Sequence, residues 1–296
     1  MGKYDISEKE YFKDNIMFSN LFNYYLFDGK ETIISSELEE LDPKLVFTNP
    51  GDIIRERDIY KRAVIKSDGK KTYLLLGIEN QTKVDKYMIL RVMGYNYFSY
   101  YNQLHNIEKN KKNVKMKLYP VITLVIYFSD KKWTGPKDLH SLLDINDSCI
   151  EKYIPNEKLN IIEPYSMDNE DFIKLNKELS MLFKFIKNSG NKDNLEKLIY
   201  DNKNETIDVR TARLINRVTK AEIEITESEG EISMCKAIED MRKESKAEGR
   251  FEGIQEGETK NLNINIKTMN SNGFDENTIA RALNLEIEYV KKVLAS

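Results

Sequence analysis

Three polar residues stand at a spacing that could do chemistry: Asp58, and then, 21 residues on, Glu79 with Gln81 two positions later. Side chains alternate along a strand, so Glu79 and Gln81 share a face if the extended conformation persists. Asn80 points the other way, although its backbone carbonyl can turn toward the same edge. Two carboxylates brought together at the end of a covered sheet repel one another, unless they share a proton or hold a cation. Magnesium suits such a pair, since it takes one or two carboxylates, a carbonyl and several waters. Spacing alone leaves the other reading open, because charged residues just past a strand end are ordinarily solvated. A histidine-rich zinc site is nearly excluded: only His105 and His140 are available, and Cys149 and Cys235 lack metal-ligand spacing.

The elements that must position these residues are legible around them. Residues 53–66 and 72–80 are β-prone runs flanking Ser67-Asp68-Gly69-Lys70, and Asp-Gly between such runs predicts a hairpin. Residues 74–78 are apolar on both faces, as in the middle of a covered sheet. An aromatic-rich helix over 84–104 and a third strand over 117–128 follow. Together they predict an α/β core with helices packed on a mixed sheet. Upstream, Ser7 and Glu10 have capping-box spacing and open an amphipathic helix over 7–27. A second short helix is expected over 30–41, before Asp42-Pro43 and Asn49-Pro50-Gly51 break the chain.

Downstream, residues 161–162 suggest a short strand, and 168–188 and 192–201 helices. Residues 208–258 are expected to form a long charged helix. It ends in the repeat Glu248-Gly249, Glu252-Gly253, Glu256-Gly257, whose glycines share one helical face. That repeat reads equally as an oligomer contact or as a frayed connector. Three short helices over 259–294 are punctuated by Gly273, Asp275 and Asn284. Helix–turn–helix spacing raises DNA binding there, but the third helix offers only Lys291 and Lys292, so a packing or oligomerisation module fits better. Three segments follow: 1–205, 206–258 and 259–296.

The net charge of −3 is uneven. Residues 222–258 hold 12 acidic against 5 basic residues, so the rest of the chain is net positive and compatible with a polyanion. The chain shows no apolar run of the ~20 residues that span a bilayer and no apolar signal stretch at its start, so a cytoplasmic protein with reduced thiols is expected.

Further candidates flank the acids. Tyr87, Arg91, Gly94, Tyr95 and Phe98 fall on one face of the 84–104 helix. Its polar end, Tyr87 and Arg91, is expected beside the carboxylates, while Gly94 and Phe98 are expected to pack. Lys111, Lys112 and Lys115 lie in a lysine-rich loop, either simply solvated or contacting a nucleic-acid backbone without sequence preference.

Taken together, Asp58, Glu79-Asn80-Gln81, Asp85-Lys86-Tyr87-Met88, Arg91 and Tyr95 carry a resemblance. KDNIMFSNLF near the start, Tyr119-Pro120-Val121-Ile122, Trp133 and the Glu-Gly repeats extend it. The chain resembles the recombination-promoting nuclease/putative transposase group, the Rpn family, within the PD-(D/E)XK nuclease superfamily, most strongly over 11–135 and more weakly over 160–296. The resemblance implies a restriction-endonuclease-like core with a helical C-terminal extension. It implies a Mg²⁺-dependent (or Mn²⁺-dependent) DNA endonuclease linked to recombination, mobile elements or defence. Asp58 and Glu79, with Asn80, would hold the metal beside the scissile phosphate, with a contribution from Asp14. The superfamily pattern has Lys where this chain has Gln81, which can orient water but supplies no charge; Lys83 or Arg91 could replace that charge. The alternative is a nuclease-fold protein without the chemistry, acting as a DNA-binding or oligomeric module. DNA and a second copy, joined through the C-terminal helices, are the expected partners.

Overall fold

A computed structural model describes residues 5–47, 53–109, 117–219, 221, 223, 225, 230–233, 254–255 and 257–295. The chain divides into two compact units, Met1–Ile238 and Glu239–Ser296. The first is a mixed α/β unit. Its sheet is built from β1 (Glu39–Glu40), β4 (Ile59–Ser67), β5 (Lys70–Gln81), β6 (Val121–Tyr127) and β7 (Asn160–Ile162), in that spatial order. β1, β4 and β5 run antiparallel in turn, whereas β6 and β7 run parallel to β5. Two further strands, β2 (Lys44–Phe47) and β3 (Ile53–Glu56), form a separate antiparallel pair.

The β4–β5 hairpin closes at Asp68-Gly69, where both residues take positive φ, 51° and 71°. That is the left-handed turn whose twist matches the strands it joins, and Asp-Gly tolerates it best. Leu74 to Glu79 are all buried, as expected of a strand covered on both sides.

Register assigns the two faces. Tyr60, Gly77, Glu79, Thr123, Val125 and Tyr127 line one, beneath helix α3 (Met88–Lys109). There Met88, Ile89 and Val92 pack with Val125, Tyr127 and Trp133. Helices α1 (Asp5–Lys13) and α2 (Asn15–Phe27) lie on the other face, with the Phe12 ring 6.3 Å from that of Phe128. The buried Lys61 bonds there to the Lys13 carbonyl and the Asn15 side chain.

Several expectations need correction. The 7–27 helix is two helices, because Asp14 leaves helical geometry (φ −60°, ψ 127°) and caps α2 through the amides of Ile16 and Met17. The 30–41 helix does not form. Asn23 captures the Thr32 and Ile33 amides and the Ile33 carbonyl, leaving a 3-10 turn at Ser35–Glu37 before β1 joins the sheet. After α4 (Ser148–Glu151), the 168–188 segment divides into α5 (Asn169–Ile173) and α6 (Lys177–Asn188), and α7 spans Lys192–Asp201. The long charged helix stops early. α8 covers only Val209–Val218, and Glu231–Ser233 form β9 against β8 (Thr206–Asp208). Most of the Glu-Gly repeat lies outside the described residues.

The described residues of the second unit are helical. Residues 257–271 form α9, Asp275 caps α10 (Glu276–Leu283), Asn284 takes φ 53°, and α11 runs Ile287–Ala295. Ile266, Ile279, Ala280, Val290 and Val293 make its core. Among the described residues no helix is long and apolar enough to cross a membrane.

Candidate metal centre

The last registered pair of the β4–β5 ladder is Ile59 opposite Ile78; Asp58 lies in the bend just before β4 and Glu79 is the next residue of β5, close enough that the Asp58 charge raises the Glu79 carboxyl. Asp58 is fixed by accepting the Asn80 backbone N–H at 2.8 Å on Oδ2. Glu79 is 1% exposed. Its Oε2 accepts from Arg91 Nη2 at 3.0 Å and, weakly, from the Tyr95 hydroxyl at 3.5 Å, while Oε1 is buried without a hydrogen-bond partner. Burial pushes the Glu79 carboxyl up to about 8, and the neighbouring charge of Asp58 adds to this. Arg91, Arg57 and the Asp58 backbone pull the other way without cancelling it.

Arg57 is a component the sequence analysis missed. It is fully buried, donates to Ser99 Oγ (2.8 Å) and Asn96 Oδ1 (3.1 Å), and lies over the rings of Tyr60 and Tyr95. Its stem crosses β5 at Gly77, where a Cβ would sit 2.9 Å from Arg57 Cδ. The signal was present: a glycine inside the apolar run Leu74–Ile78 marks a close approach.

Arg91 is forked. Nη2 holds Glu79 and Nη1 holds Asp85 Oδ2, each at 3.0 Å, and the side chain is 39% exposed. Gln81 lies on the Glu79 face, partly buried, and its carbonyl accepts from Phe128 N at 2.8 Å. The Asn80 side chain points to the opposite face, where both of its amide atoms are buried without partners. Lys83 is exposed beyond the end of β5, and Tyr87 is 62% exposed at the start of α3. Gly94 faces open space rather than a packed neighbour. Lys111, Lys112 and Lys115 lie outside the described residues.

Asp14 is engaged elsewhere. Besides capping α2 it pairs with Arg210 at 2.9 Å, and Arg210 also grips Asp208. Burial raises the Asp14 carboxyl, but Arg210 and the two capped amides outweigh it and hold it below the usual range. These partners are separate from those of Glu79.

A family model described as "Putative transposase, YhgA-like" matches residues 59–213, just over half of the chain. The chain belongs to this YhgA-like family. Comparison with curated proteins and with solved structures finds no match. The match to the YhgA-like family runs from β4 through α8 and takes in Glu79, Gln81 and Arg91.

Among the described residues no group of three or more His, Cys, Asp or Glu side chains converges as a metal cluster, so the centre has two carboxylates. The donor set nonetheless fits a hard cation. Glu79 presents an oxygen that nothing satisfies, beside a second acid whose charge it opposes. Magnesium bound by one or two carboxylates keeps most of its waters.

Proposed function

We propose that this YhgA-like chain is a divalent-metal-dependent endodeoxyribonuclease with a PD-(D/E)XK core, acting in a process tied to mobile DNA. The family description supports the mobile-element context. The observation that carries the chemistry is the nearness of Asp58 and Glu79 at the open end of the β4–β5 hairpin, with the unsatisfied Glu79 Oε1 beside a second carboxylate. In this reading Asp58 and Glu79 hold Mg²⁺ (or Mn²⁺). The Asn80 carbonyl is a further oxygen, since amide and carbonyl of one strand residue point toward the same neighbouring strand. The bound ion would supply an acidified water and neutralise charge on the phosphoryl oxygens.

The chain's own residues do the rest. Tyr95 and Arg91 fix the Glu79 carboxylate, and Asn80 fixes that of Asp58. Gln81, one pleat further out on the same face, orients water without supplying a base. The missing superfamily lysine leaves Arg91 as the nearest cation and Lys83 as an exposed one. Lys83, Tyr87 and the loop lysines Lys111, Lys112 and Lys115 would contact the DNA backbone, which makes binding salt-dependent. A cytoplasmic dimer joined through the C-terminal helices completes the proposal.

The test is cleavage of supercoiled plasmid with Mg²⁺ or Mn²⁺ by wild type, Asp58→Asn and Glu79→Gln. Loss of metal-stimulated cleavage in both variants is expected; cleavage that survives both substitutions sinks the assignment. One observation favours a second reading: Glu79 is buried and already ion-paired, and Gln81 brings no charge. A non-cleaving DNA-binding module would bind plasmid but leave it intact under every metal.

A further inference from the structure

Arg91 joins two acids of different kind. Glu79 is buried on the sheet, whereas the Asp85 side chain is 28% exposed in the loop before α3. Each takes one nitrogen of the same guanidinium at 3.0 Å, so letting go of one need not mean letting go of the other. Asp85 is itself anchored, because its Oδ1 accepts the Tyr87 backbone N–H at 2.8 Å. Arg91 is 39% exposed, whereas the Glu79 side chain is enclosed. The guanidinium therefore already supplies the positive charge that the acid pair lacks.

We propose that Arg91 is an exchangeable counter-ion of Glu79. It holds Glu79 Oε2 while no divalent cation is bound, yields that oxygen when one binds, and stays on Asp85, its parking acid. This inference rests on the metal-centre reading and deepens it, by making metal loading and arginine release a single equilibrium. The loop acid then holds Arg91 at the partly exposed rim of the site.

Two substitutions should act in opposite directions. Arg91→Met removes the competitor, so Mg²⁺ should bind more tightly. Asp85→Asn removes the parking place and commits Arg91 to Glu79, so Mg²⁺ should bind more weakly. Each shift should be about fivefold or more, the lower end of ordinary coupling between sites. The measurement is calorimetric titration of Mg²⁺ into the full chain, with no DNA present. Glu79→Gln serves as the reference for lost metal binding.

Opposite shifts support the exchange. A merely structural role for the fork would weaken binding in both variants, and that result, or no change in either, overturns it. If Arg91→Met does not fold, Arg91→Gln takes its place: tighter Mg²⁺ binding is again expected, and weaker or unchanged binding overturns the proposal. Wild type binding no more Mg²⁺ than Glu79→Gln would remove the metal centre itself, a failure distinct from metal that binds but ignores Arg91.

Discussion

Replacing Glu79 with glutamine should stabilise the fold, and should do so only above acidic pH. An ordinary carboxyl titrates at 4.5, whereas Glu79 in the folded chain is raised to about 8, first by burial and then by Asp58. Between those values the folded chain keeps a proton that the unfolded chain has released, so stability drains away as pH rises through the window. Below pH 4.5 both forms are protonated and nothing is lost; above pH 8 the full cost is present. At about 1.4 kcal/mol per unit the ceiling is about 5 kcal/mol. Relaxation and water entry reduce the realised part, so Glu79→Gln should gain about 2–3 kcal/mol at pH 9 and almost nothing at pH 4. For a unit of this size that is roughly 5–10 °C in Tm. Urea unfolding in EDTA, followed by fluorescence of the single tryptophan, Trp133, buried at 2% exposure, reads it directly. A variant no more stable than wild type at pH 9, or a gain that ignores pH, would refute the argument.

Other perturbations separate the supporting parts. Gly77→Ala drives a methyl into the Arg57 stem, and overpacking of this kind should cost about 1–3 kcal/mol in thermal unfolding. Asp14→Ala should lose about 1 kcal/mol by removing the α2 cap, whereas Asp14→Asn, an equally good cap, should lose less and leave plasmid cleavage intact. In the C-terminal unit, Asp275→Ala removes the side chain that accepts from Thr278 at the start of α10. Faster amide exchange confined to α10 and its neighbours is the expected readout.

What the sequence made legible was local. The Asp68-Gly69 turn, the apolar run of β5 and the punctuation at Gly273, Asp275 and Asn284 each act on their own neighbours, so composition and spacing were enough. Arg91 beside Glu79 also followed, from helical periodicity starting close to the strand end. What escaped was decided at a distance. The break at Asp14 was the exception, a local N-cap on α2; only the hold of Arg210, 196 residues away, on its other oxygen lay out of reach. Residues 30–41 carry helix-compatible side chains, but Asn23 claims the amides and the sheet edge claims Glu39–Glu40. The acidic stretch after α8 read as helix because charge masks alternation, yet Ile232 is buried in a strand pairing with β8. Arg57 went unremarked, since apart from Gly77 nothing in the sequence announces the pocket that Ser99, Asn96 and two tyrosines make for it.

Glu79 belongs to a hairpin with a two-residue turn and Asp58 immediately precedes it, so a single contiguous stretch of chain determines how far apart they stand. Nothing beyond Asn80 is required to set that spacing. α3, in contrast, arrives from outside the hairpin and decides how dry Glu79 is and which cation greets it. Lesions that loosen α3 should therefore leave the ruler intact while retuning the instrument: the carboxylates keep their separation, but their acidity and appetite for metal drift toward those of acids in water.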